Sequence, residues 1–74
     1  MNVRQLIKTL CAHKDINIAQ LAKLAGQTPQ NLNNKLARND MRISDLENII
    51  NHLDCRVEVI ITDNEDKILY KTNI

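Results

Sequence analysis

The stretch from Ile16 to Arg38, INIAQLAKLAGQTPQNLNNKLAR, decides the fold. It reads as two short helices joined by a tight turn. Asn17 is a residue that caps a helix start, and Leu21, Ala22, Leu24 and Ala25 are expected on the inner face of the first helix. Gly26, the chain's single glycine, ends that helix because it takes positive φ without a Cβ clash. Thr28 then caps the next helix, over 28–38. Pro29 suits its first position, where no amide donor is needed, and Leu32 and Leu36 face inward. Pro29, Gln30, Asn33, Asn34 and Lys35 are left outward. Asparagine is a mediocre helix former, so three asparagines and a glutamine on one short helix call for a reason other than helix propensity.

Working outward, NVRQLIKTLCAHK places Val3, Leu6, Ile7, Leu10 and Cys11 at the spacing of an amphipathic helix. On the other side, SDLENIINHL holds Ser44 and Glu47 at the spacing of a capping box, with Leu46, Ile49, Ile50 and Leu53 as the apolar face. After residue 54 the pattern changes. CRVEVIIT is β-branched and alternates, with Cys55, Val57, Val59 and Ile61 on one face and Arg56, Glu58, Ile60 and Thr62 on the other. DNED forms a turn and KILYKTNI alternates again, with Tyr70 expected to pack within the hairpin. The expected architecture is mainly α: a four-helix core over 1–53 and a C-terminal β-hairpin over 54–74, in one compact domain.

Composition limits the function. The chain has 74 residues, no tryptophan or phenylalanine and one tyrosine, so its core must be aliphatic. A domain of this size buries only about 60% of its unfolded surface, and association is one remedy. The net charge of +1 hides an asymmetry, with a surplus of three positive charges over residues 1–52 and of two negative charges over 53–74. A basic front favours a polyanionic partner. No apolar run is long enough for a membrane span and the first residues do not read as a signal peptide, so the expectation is a cytoplasmic chain with Cys11 and Cys55 reduced. Cys11 and His13 point about 200° apart on a helix, so they do not share a metal ion. Cys11 continues the apolar stripe, while His13 and His52 suit helix C-termini. Ser44 is accounted for by capping, no glycine-rich phosphate loop occurs, and DNED lacks the length and glycine of a calcium loop. No enzyme, cofactor or small-molecule site is evident.

Two helices around a glycine turn make a helix-turn-helix arrangement. Ala22 is small where the helices cross, and Leu32 and Leu36 dock the second helix. A side chain that reads the major groove needs donors and acceptors together. Glutamine and asparagine amides pair bidentately with adenine, and lysine donates to guanine or phosphate. Base contacts concentrate at the N-terminal part of such a helix. That chemistry supplies the missing reason for the amides.

These residues resemble the helix-turn-helix of the phage repressor/Cro-type (XRE) regulators. Ala22, Gly26 and Leu32 match its most characteristic positions. The run Leu32 to Leu36, Arg38 after it, and Asp45 to Glu47 in the next helix are similar to a small bacterial subgroup. The resemblance covers about residues 3–53 and implies sequence-specific binding to double-stranded DNA, usually as a homodimer. Carried over by position, Pro29, Gln30, Asn33 and Asn34 would face bases. Asn17, Thr28, Lys35, Arg38 and Arg42 would meet phosphates, and Asn31 would serve the backbone. The chain departs from the family at Ile18, Gln27, Pro29 and Lys35. A hairpin also stands where a fifth helix is common, as in Cro-like members, whose strands help form the dimer. Val57, Val59, Ile60, Ile61 and Leu69 are the expected dimer contacts. The resulting expectation is a transcriptional regulator, most simply a repressor. The rival is an interaction module, antitoxin-like or a phage accessory protein, that keeps the helical core and engages another protein through the hairpin.

Overall fold

The computed structural model describes residues 2–73. Four helices, α1 (Val3–His13), α2 (Ile18–Leu24), α3 (Pro29–Arg38) and α4 (Ile43–Asn51), are followed by β1 (Glu58–Thr62) and β2 (Ile68–Asn73). The core is aliphatic throughout. Ile7, Leu21, Leu32 and Leu36 are its most enclosed side chains, joined by Leu46, Ile49, Ile50 and Leu53 from α4 and the segment after it. No polar residue as a whole is buried among the described residues.

The starts of α1, α2 and α3 are each capped by a polar side chain. Asn2 Oδ1 accepts the Gln5 amide at 3.0 Å. Asn17 and Gln20 form a reciprocal box, each side chain accepting the other's backbone N–H at 2.8 Å. Thr28 Oγ1 accepts the Asn31 amide at 3.1 Å, and Pro29 takes the first helical position. Gly26 has a φ of 70°, as the turn requires.

Two expectations fail in the helices. At about 100° per residue, Leu21, Ala22 and Ala25 lie within one arc, and Leu24 falls about 60° outside it. Leu24 is accordingly 57% exposed. The capping box at Ser44 and Glu47 does not form, because α4 starts two residues earlier than a Ser44 cap requires. Arg42 is its N-cap and makes no side-chain cap bond. Asp45 instead sits in the first turn, where its charge meets the positive end of the helix dipole. One carboxylate oxygen of Glu47 is left buried without a hydrogen-bond partner.

Asn39 ties the ends of the core together. It caps α3 in the left-handed region at φ 54°, and its Oδ1 accepts the Val3 amide at 2.8 Å. That bond satisfies one of the otherwise unpaired donors at the start of α1. Asn39→Gly keeps the backbone and loses the tether, so it should cost about 1 kcal/mol. Asn39→Ala adds the left-handed penalty, for a total of roughly 2–3 kcal/mol. Urea unfolding of both variants measures this, and wild-type stability in both would remove Asn39 from the account.

The strands begin at Glu58, three residues later than the alternating pattern suggests. Cys55 and Val57 instead pack half-buried against the helical core. The pairing is antiparallel. Val59 lies opposite Thr72 and Ile61 opposite Tyr70 on one face, with Glu58 opposite Asn73 and Ile60 opposite Lys71 on the other. A bulge follows, since Thr62 pairs with Ile68. Asp63 organises the loop, with Oδ1 accepting the amides of Glu65 at 2.9 Å and Lys67 at 3.0 Å. The strands pair with each other and scarcely touch the helices. Consequently the radius of gyration is 13.6 Å, against about 11 Å for a compact chain of this length. Ile60, Ile61, Ile68, Leu69 and Tyr70 are each half or more exposed. Tyr70 is a strand residue of the hairpin as expected, opposite Ile61, and its outer surface is 57% exposed.

Cys11 and Cys55 are both free. Burial pushes the Cys11 thiol pKa up, while half-buried Cys55 donates to the Leu53 carbonyl at 3.4 Å. A thiol reagent on native protein should modify Cys55 first and reach Cys11 only on unfolding. Equal labelling rates would show that the α1 seam opens in the native state.

Candidate nucleic-acid interface

The helix-turn-helix places one face of α3 in solvent. Leu32 and Leu36 are fully enclosed, which fixes the helix about its own axis. Pro29, Gln30, Asn34, Lys35 and Arg38 are exposed and Asn33 is half-buried. Among the described residues, no side-chain hydrogen bond engages the amides of Gln30, Asn33 or Asn34, although Thr28, Asn17 and Asn39 all use theirs in caps or tethers. The amides on α3 are thus free for a ligand. Asn31 gives its backbone N–H to the Thr28 cap, in keeping with a backbone role.

The basic residues around α3 are also unneutralised. The ion pairs among the described residues lie in the hairpin segment, Arg56–Glu58 at 3.3 Å and Lys71–Glu58 at 3.9 Å. Among the described residues, Lys35, Arg38 and Arg42 have no acid within ion-pair distance. They line one open cleft between α3 and α4, together with Gln27, Asn48 and two carboxylates, Asp40 and Asp45. Gln27 Oε1 is buried there without a partner. Sequence reading did not bring Gln27, Asp45 and Asn48 to this place, because α3 and α4 meet through their crossing and not through any local spacing. Asn17 and Thr28 stand at the N-termini of α2 and α3, with their side-chain oxygens committed to capping. Their exposed positions put the helix N-termini, with their positive dipole ends, on the surface.

The expected hairpin contacts divide. Ile60, Ile61 and Leu69 are exposed, but Val57 and Val59 are half-buried in the monomer. Ile68 and Tyr70 add exposed apolar surface that sequence reading did not assign to this role.

A helix-turn-helix with an unbonded amide face and free cations beside it defines a DNA-binding unit. The model of the Cro/C1-type helix-turn-helix DNA-binding domain matches residues 7–66, most of the chain, and the protein belongs to that family. The family binds DNA and is not enzymatic. No curated protein and no solved structure matches the chain significantly. No helix among the described residues is long and apolar enough to cross a membrane.

Proposed function

We propose that the chain is a sequence-specific transcriptional repressor that occupies its site as a homodimer in the cytoplasm of a bacterial cell. Residues 1–53 read DNA and residues 54–74 join two copies. The N-terminal half of α3 enters the major groove, where Pro29, Gln30, Asn33 and Asn34 face bases. Lys35, Arg38 and Arg42 hold phosphates along the α3–α4 side, and Asn17 and Thr28 present helix N-termini to the backbone. The observation that carries this reading is the amide face of α3, since Gln30, Asn33 and Asn34 make no side-chain hydrogen bond among the described residues and suit base edges.

The homodimer reading rests on the hairpin. A two-stranded sheet has two unpaired edges, and an isolated hairpin is marginal in water. Its exposed side chains are aliphatic or aromatic at five positions. A second copy would cover them about a two-fold axis and set two α3 helices about 34 Å apart, one DNA turn. Sedimentation should give a dimer for the wild type. Ile61→Lys with Tyr70→Lys should give a monomer with helical circular dichroism intact and much weaker binding to a two-fold site. A wild-type chain that stays monomeric at tens of micromolar would overturn the dimer. Recovery of a different protein by the hairpin, with no DNA site found, would put the interaction-module reading in its place.

A further inference from the structure

We infer that the half-site read by α3 is made of A·T base pairs, with adenines against the amides and thymine methyls against the apolar ends of the same face. This rests on the reading of α3 as the major-groove helix and specifies what it recognises. At about 100° per residue, Pro29, Asn33, Ala37, Gln30 and Asn34 fall within an arc of about 140°. Every side chain in that arc is a carboxamide or a small apolar group. Pro29, Gln30, Asn34 and Ala37 are exposed and Asn33 is half-buried.

The next sector of the helix is different in kind. Arg38, Asn31 and Lys35 follow in order before the buried Leu32 and Leu36. Lys35 and Arg38 line the cleft with Gln27 and Arg42, away from the amide arc. Charge is therefore kept out of the arc that holds Gln30, Asn33 and Asn34, and Asn31 alone of the α3 carboxamides stands between the two cations. The sorting matters because the bases differ in what they offer. Guanine shows two acceptors in the major groove, O6 and N7, and wants a double donor such as arginine. Adenine shows an acceptor at N7 and a donor at N6, which a carboxamide matches with one donor and one acceptor. Thymine adds a methyl group, which suits the Pro29 ring and the Ala37 methyl. Cytosine offers an amino donor that suits a carboxylate, and no acid lies on α3. The arc thus fits A·T pairs in either orientation and lacks the group that best selects G·C.

The test is selection of the purified full chain from a random duplex library at two salt concentrations. The selected site is then remade with 7-deazaadenine, which keeps base pairing and removes only N7. The expected motif has A·T pairs at the contacted positions, and each contacted 7-deazaadenine should weaken binding roughly 5- to 150-fold. Asn34→Arg, an exposed change whose folding is checked by circular dichroism, should move one position of the motif toward G·C. A wild-type motif with G·C at the contacted positions would overturn the base assignment and leave α3 as the reader. Enrichment of A·T pairs with no effect of 7-deazaadenine would also overturn it, because shape would then be the selected property. No enrichment at all would overturn the reading of α3 itself.

Discussion

Gln30→Ala combined with Asn34→Ala is expected to weaken binding to the preferred site by roughly 30-fold to 10⁴-fold, on the scale of two lost bidentate contacts. Both side chains are exposed on α3 and make no intramolecular hydrogen bond among the described residues, so folding should be untouched. Binding to unrelated DNA should change little, since in the proposed mode it rests on phosphate contacts, which are assigned to Lys35, Arg38 and Arg42. The salt slope should stay near the wild-type value for the same reason. Affinity measured on the selected site and on scrambled duplex at two salt concentrations separates these terms. If the double variant holds the selected site as tightly as the wild type, the base-facing assignment fails.

Leu32→Ala is expected to remove roughly half of the protein's stability. Leu32 is 0% exposed and sits where α3 docks onto α2. Truncating a buried leucine costs about 2–5 kcal/mol, because lost transfer energy and a residual cavity add. A chain of this size has a total stability of about 4–11 kcal/mol. The helical circular dichroism melt should therefore shift steeply downward. Leu24→Ala is the matched control, because Leu24 is 57% exposed and its loss should change stability by about 0.5 kcal/mol or less. Similar losses from both variants would mean that the α2–α3 seam is not where the fold is held.

What the sequence made legible follows from short-range physics. The Thr28–Pro29 start of α3, the Asn17 cap and the positive φ of Gly26 are each set by a residue's own chemistry and its immediate neighbours, and all three form. The amide face was legible by subtraction, once Leu32 and Leu36 were assigned inward. Ser44 shows the limit. Two starts for α4, two residues apart, are locally acceptable and hold the Asp45 carboxylate in the first turn alike, and the structure takes the earlier one. Leu24 fits a loose apolar spacing but sits at the wrong angle on a helix of seven residues. Asn39 was illegible for a different reason. Its partner Val3 is 36 residues away, so the tether exists only once the core has closed. Gln27 and Asn48 join the α3–α4 cleft by the same kind of long-range meeting.

The position of Tyr70 has a practical consequence. It is the chain's one tyrosine, in a sequence without tryptophan or phenylalanine, and it stands on β2, outside the helical core. Ultraviolet emission from the native protein therefore originates entirely in the hairpin, whereas ellipticity near 222 nm comes almost entirely from α1–α4. The molecule carries two spectroscopic channels that do not overlap. A dilution series followed in both would show whether the sheet changes surroundings while the helices stay as they are, with no dye or tag added.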